Sequence, residues 1–197
     1  MIDFRFNTSS KKEIETHLTE TAEQFIPPLY EYCEIAAYSV KIKAKCYNFE
    51  AWDTTQLVGL LAVYLNQEKA LAYITNLSID KNYSGKRIGK KLISELYQYC
   101  LRNNLKKIEL EVFKVNKPAI KFYTANNFRP IEERNKTIIM SKSITRDYNQ
   151  EFKDNQDRKY AYNFDFDVMH GYMVDSFKPF LNAGNLLELG SFKVTKH

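Results

Sequence analysis

Apolar and polar positions alternate along the first two thirds of the chain, with a period that switches between two and about 3.6. Ile2, Phe4 and Phe6 alternate with Asp3 and Arg5, which predicts a short first strand. Ser10-Lys11-Lys12-Glu13 has the spacing of a capping box, and Ile14, Leu18, Ala22 and Phe25 form a helical stripe behind it. Pro27-Pro28 stops that helix, and a short second helix is expected from Leu29 to Ala36. Tyr38, Val40, Ile42, Ala44 and Cys46 alternate with Ser39, Lys41, Lys43 and Lys45, which predicts a half-exposed antiparallel strand. Turns at Asp53-Thr54-Thr55 and Asn66-Gln67-Glu68 frame two more apolar runs, Gln56 to Leu65 and Ala70 to Ile79. The middle of the chain therefore reads as a three-stranded meander.

Asn76 and Ser78 interrupt the last of these strands. Such residues mark either a solvated face or a bulge that splays the strand from its neighbour and leaves backbone amides for a ligand. Ile88, Leu92, Leu96, Tyr99 and Cys100 then share one helix face, and Asn103-Asn104 ends that helix. Ile108, Leu110 and Val112 alternate with Glu109, Glu111 and Phe113 in a further strand. Strand, helix and strand at this spacing imply a right-handed parallel crossover. Asn116-Lys117-Pro118 starts a helix that runs to Asn126, and Asn127 suits the left-handed closing position. Phe128 to Glu132 and Thr137 to Lys142 read as a closing hairpin. The expected class is α+β, a mixed but mostly antiparallel sheet flanked by helices, with a C-terminal helix and strand appended.

Charge adds direction to this picture. Residues 1–143 hold 22 Lys and Arg against 16 Asp and Glu, whereas residues 144–197 hold 7 against 8. The turn between Ile79 and Leu92 gathers Lys86, Arg87, Lys90 and Lys91 around Gly85 and Gly89. Cations in a first helical turn oppose the macrodipole, so this turn is either an ordinary solvated one or an anion site. No arginine-rich tract or nucleic-acid motif is present, so a small anion is favoured over nucleic acid. Cys33, Cys46 and Cys100 form no disulfide framework, and His17, His170 and His197 are scattered, so no metal is expected. Without an apolar leader or a run of membrane-spanning length, no membrane partner is expected and a cytoplasmic location is the default.

Three pieces in this order resemble the GNAT superfamily of acyl-CoA N-acyltransferases over residues 1–143. They are Tyr83-Ser84-Gly85-Lys86-Arg87-Ile88-Gly89-Lys90-Lys91-Leu92; Leu110-Glu111-Val112 with Asn116 and Ala119-Ile120-Lys121-Phe122-Tyr123; and Asn127-Phe128. The first departs from the family's Gln/Arg-x-x-Gly-x-Gly/Ala pattern: Ser84 replaces Gln/Arg, and Arg87 stands at the first Gly, where right-handed helical geometry is expected for it. The resemblance implies acetyl-CoA as cosubstrate, with its pyrophosphate on the backbone of Gly85, Lys86, Arg87, Ile88, Gly89 and Lys90. It also implies an oxyanion donor near Leu77, Ser78 and Ile79, and Asn116 beside the pantetheine. Tyr123 is implied as the acid for the CoA sulfur and Glu111 as the base, with Glu109 or water as alternatives. The expected reaction is direct attack by a primary amine of a small molecule, an amino sugar or amino acid. A protein N-terminus or lysine, or a non-catalytic CoA-binding assembly module, are the other readings. The resemblance further implies that the first two helices and the loop between them line the acceptor cleft, here Phe25 to Tyr32 with Tyr30 and Tyr32, although core packing is the other reading of such residues.

Residues 144–197 fall outside that pattern. After a polar stretch, Asn185-Leu186-Leu187-Glu188-Leu189-Gly190-Ser191 resembles the strand and turn that open class I S-adenosylmethionine-dependent methyltransferases. The 54 residues amount to an incomplete domain, so S-adenosylmethionine is not expected to bind, and the segment reads as a truncated methyltransferase-like piece. Its apolar strand is expected to pack on the first domain or on a second copy, which leaves a homodimer open.

Overall fold

The computed structural model describes residues 1–145; the expected linker, helix and methyltransferase-like strand of the C-terminal segment lie outside the described residues. The order is β1 (Ile2–Phe6), α1 (Lys11–Thr21), α2 (Ile35–Lys45), β2 (Tyr47–Asp53), β3 (Gln56–Asn66), β4 (Leu71–Ile79), α3 (Ile88–Arg102), β5 (Lys107–Phe113), α4 (Lys117–Ala125), β6 (Arg129–Glu133) and β7 (Thr137–Ser143). The seven strands form one sheet in the order β1-β2-β3-β4-β5-β7-β6. Among the described residues only the β4–β5 pair is parallel, as the crossover through α3 requires.

Two apolar layers cover the sheet. On one face, Ile88, Leu92, Ile93, Leu96 and Cys100 of α3 pack with Tyr123 of α4 and Phe128 against Leu61, Val63, Ile74, Ile108 and Leu110. On the other, Ile14 and Leu18 of α1 and Ile42 of α2 pack against Trp52, Leu57, Leu60 and Ala62. The predicted capping box forms: Glu13 N donates to Ser10 Oγ (3.3 Å), and Ser10 N donates to Glu13 Oε2 (2.6 Å).

Two sequence expectations are overturned between Leu29 and Cys46. The short helix from Leu29 to Ala36 is a single 3-10 turn, Leu29–Glu31, and the strand from Tyr38 to Cys46 is the helix α2. The residues fit both periods, but capping and burial select the helix. Glu34 accepts from Ala36 N (2.9 Å) and Ala37 N (2.6 Å), which satisfies two otherwise orphaned donors. Ile35, Tyr38, Ser39 and Ile42 then face inward at helical spacing, whereas Val40 is left 52% exposed. The first strand of the meander is instead β2, Tyr47–Asp53, which carries the fully buried Glu50. That carboxylate accepts from the backbone and hydroxyl groups of Thr8 and Ser9 and from Trp52 Nε1 (2.9 Å), tying the β1–α1 loop to the sheet.

Candidate active site

Along β4 the pairing with β3 slips between Ala62 and Val63, which face Asn76 and Ile74, so Thr75 is an unpaired extra residue. The bulge reverses the side-chain alternation. Ala72 and Ile74 point to the α3 layer before it, and Leu77 and Ile79 do so after it. Asn76 and Ser78 are thereby buried toward α1 rather than solvated. Tyr38 of α2 holds the bulge, its hydroxyl donating to the Thr75 carbonyl (2.8 Å). Beyond Ile74 and Leu110 the β4–β5 ladder stops, while β5 continues beside β7 to Phe113. The expected splay is therefore present, and it opens one edge of β4 from Thr75 to Ile79.

The N-terminus of α3 lies at the foot of this opening. Ser10, Glu34 and Asn116 cap the other three helices with side chains; Arg87, before α3, makes no such bond. The first bond of α3 runs from Lys91 N to Arg87 O (3.0 Å), so the N–H groups of Ile88, Gly89 and Lys90 have no helical partner. Arg87 has φ +60°, left-handed rather than the right-handed geometry expected for it. Gly85 is also left-handed, at φ +78°. Gly89 serves a different purpose, since a Cβ there would sit 3.2 Å from Phe122 Cζ and push α4 away. At Gly59 on β3 a Cβ would meet Ile79 Cδ1 and Ile88 Cγ2 at 3.0 Å, so this glycine seats the start of α3 on the sheet.

These parts line one cleft of about 620 Å³. Of the residues expected to hold the cofactor, Leu77, Ser78, Ile79, Gly85, Arg87, Ile88, Gly89, Lys90, Asn116 and Tyr123 all border it. Lys86 is not in the lining: its ammonium lies 4.3 Å from the centre of the Tyr83 ring. Lys91 is paired with Glu95 (2.6 Å). The basic rim of the cleft is thus Arg87 and Lys90. Thr21, Gln24, Phe25 and Ile26 also line the cleft. Phe25 and Ile26 fall within the stretch expected on the acceptor side, whereas Thr21 and Gln24 carry no mark in the sequence. Tyr30 and Tyr32 of that stretch are exposed and outside the lining.

Tyr123 is 9% exposed and packs edge-on against Phe122 and Phe128. Burial raises its phenol well above the ordinary value, so it stays protonated at neutral pH. Glu111 lies on the opposite face of β5 from Leu110 and Val112 and is outside the cleft lining. Its carboxylate accepts from Thr137 Oγ1 and from Arg134 Nη1 (3.3 Å). Glu109 is paired with Lys107 at 2.6 Å. Asn116 caps α4, accepting from Ala119 N at 3.1 Å. Among the described residues no group of side chains is arranged to hold a metal ion, and no helix is long and apolar enough to cross a membrane.

The site thus joins an uncapped helix end to a splayed β4 on a mixed, mostly antiparallel sheet. The Acetyltransferase (GNAT) family profile matches residues 12–128, and the chain belongs to that family. The fold is similar to that of the ribosomal-protein-S18-alanine N-acetyltransferase of Escherichia coli (TM-score 0.60, 17% identity, 74% of this chain and 95% of that one). It is likewise similar to the PaiA N-acetyltransferase of Thermoplasma acidophilum, solved in complex with coenzyme A (TM-score 0.59, 18% identity, 73% of this chain and 99% of that one). In sequence the chain is similar to the N-acetylaspartate synthetases of Danio rerio (26% identity over 103 residues, 52% of this chain) and Xenopus tropicalis (28% over 98 residues, 50% of this chain). It spans 36% of the length of each of these two proteins.

Proposed function

We propose that the protein transfers an acetyl group from acetyl-CoA to the primary amine of a small molecule, by direct attack of the amine on the thioester. The observation that carries this reading is the meeting of the uncapped α3 N-terminus, the opened edge of β4 and Tyr123 in one cleft. The unpartnered N–H groups of Ile88, Gly89 and Lys90 suit a pyrophosphate, with Arg87 and Lys90 adding a screened attraction. The β4 edge offers amide donors to the pantetheine and to the oxyanion of the tetrahedral intermediate.

Tyr123 stands as the donor to the departing sulfur. A thiol is ordinarily a stronger acid than a phenol, and burial widens the gap here. Tyr123 therefore stabilises the thiolate by a hydrogen bond and does not surrender its proton outright. Glu111, on the face of β5 opposite Leu110 and Val112 and paired with Arg134, receives the ammonium form of the acceptor outside the cleft lining and draws off its first proton toward solvent. Arg134 is also held by Glu132 (2.7 Å), so the carboxylate of an acceptor would have to share it; the similarity to N-acetylaspartate synthetases supports an amino acid acceptor.

The test is release of CoA thiol from acetyl-CoA with a panel of L-aspartate, other amino acids, glucosamine and a lysine peptide. Turnover with an amino acid is the expected result. Turnover with the peptide alone would replace the small-molecule reading by a protein-directed one. Acetyl-CoA binding without thiol release would leave a non-catalytic CoA-binding module.

A further inference from the structure

A line of buried polar groups runs from α1 to the cleft wall. His17, 2% exposed, has Nδ1 2.9 Å from the Leu57 carbonyl and Nε2 2.8 Å from Ser78 Oγ. Asn76 Nδ2 lies 3.1 Å from the Leu60 carbonyl and 3.0 Å from Ser78 Oγ. Two β3 carbonyls, which can only accept, fix the direction of every bond in the line. Leu60 O requires the amide nitrogen of Asn76 on its side, so Asn76 donates to Ser78. Leu57 O requires the proton of neutral His17 on Nδ1, which leaves a bare Nε2. The Ser78 hydroxyl must then donate to Nε2. One lone pair of Ser78 Oγ remains, on a residue that lines the cleft with Tyr123.

We infer that Ser78 and His17 are the route by which the attacking amine loses its second proton, with Ser78 touching the substrate and His17 positioned behind it as the acceptor. This rests on the acetyltransferase reading above. The neutral amine attacks the thioester carbon, a C–N bond forms, and the carbonyl electron pair moves to oxygen. The nitrogen, now cationic, passes a proton to Ser78 Oγ as the Ser78 proton moves to His17 Nε2. The C–S bond breaks and the C=O bond re-forms, giving the amide and the CoA thiolate. Both nitrogens of the imidazolium now donate, so Ser78 turns its proton toward the cleft, where the thiolate takes it as His17 Nε2 returns its proton to Ser78 Oγ. The products are the N-acetyl compound and CoA thiol, and His17 is neutral again.

The surroundings suit a transient charge. Burial lowers the affinity of His17 for a proton, while Asp80, just past β4, favours the charged form. Other ionisable groups on the packed elements are engaged elsewhere: Glu13 with Ser10, Glu15 with Lys11, Tyr38 with Thr75, and Glu50 with Ser9 and Trp52. Lys43 of α2 donates to Ser9 O (2.6 Å), Lys41 lies over the Tyr64 ring (5.8 Å), and Glu23 accepts from Tyr30 (2.8 Å). Beyond Tyr64, β3 carries no ionisable side chain, and β4 carries only Tyr73.

Two measurements test the relay. In the first, kcat and KM are determined for wild type, His17→Gln and Ser78→Ala with the best amine of the panel, from pH 5.5 to 8. Glutamine can still hydrogen-bond to Ser78 but cannot store a proton. The relay requires kcat to fall about 100-fold in both variants, KM for acetyl-CoA to stay within twofold, and the acid limb of the wild-type profile to vanish in His17→Gln. A folded variant, by thermal melting, that keeps kcat within threefold overturns it. In the second, nitrogen-15 spectra of wild-type protein at pH 7 report the His17 tautomer without turnover. A proton on Nδ1 and none on Nε2 supports the relay; a proton on Nε2 overturns it even where the variants fail to fold. Acetyl-CoA binding with no thiol release from any amine would defeat the acetyltransferase reading instead, and the tautomer would still decide the polarity of the line.

Discussion

Arg87 is the residue at which binding and stability pull apart. A left-handed non-glycine residue costs roughly 1–2 kcal/mol, and glycine returns part of that, about 0.5–1 kcal/mol, as chain entropy. Arg87→Gly is therefore expected to stabilise the fold by roughly 0.5–1 kcal/mol, raising Tm by about 2 °C. The same change removes a cation from the cleft rim and should weaken acetyl-CoA by about fivefold, roughly 1 kcal/mol. Melting and calorimetric titration check the two effects separately. A fall in both would show that Arg87 is not strained in solution. Tyr123→Phe keeps the ring packing against Phe122 and Phe128 but deletes the donor. Its kcat should drop about 10- to 100-fold with acetyl-CoA affinity unchanged, and an unaltered kcat would remove Tyr123 from the chemistry.

Most elements were legible because one period dominated each of them. The α3 stripe, the β5 alternation and the Asn116 cap leave little choice, whereas the loop from Gly85 to Lys90, ambiguous by itself, is picked out by its resemblance to the family's pyrophosphate loop. The failures have a common cause. In α2 the lysines satisfy periods of two and 3.6 equally, and only the contact with α1 and the sheet decides between them. In β2, Asn48 and Glu50 look like solvated positions, yet both are buried, Glu50 because Thr8, Ser9 and Trp52 supply its donors. His17 was legible as a residue but not as part of a site, because its partners Leu57 and Ser78 lie 40 and 61 positions away. Gly89 shows how one element constrains another. Gly89→Val should force Phe122 and α4 outward, weakening acetyl-CoA binding at least tenfold in titration; unchanged affinity would mean that α3 and α4 need not touch for binding.

Across the whole molecule, the buried imidazole links pH to folding. Its folded-state pKa lies below the ordinary 6.5, so the unfolded chain binds the proton more readily. The associated stability is present above pH 6.5 and is lost as pH falls through the lowered value. Glu13 and Asp53 shift downward from 4.5 and 3.8, so their windows lie lower still. Urea unfolding at pH 7.5 and 5.5 should show wild type weakening in acid and His17→Gln weakening less. Equal slopes would place the imidazole in contact with water.

The extra residue at Thr75 gives β4 two reading frames. Upstream of it, even-numbered positions belong to the α3 layer; downstream, odd-numbered ones do. Excising that single residue would merge the two frames, since Asn76 would follow Ile74 directly, opposite the neighbours Ala62 and Val63 that already face them. Leu77 and Ile79 would keep to the α3 layer and Ser78 to His17, but the bulge whose carbonyl Tyr38 holds would be gone. Length along this strand is therefore as much a determinant of the site as the identity of any side chain on it.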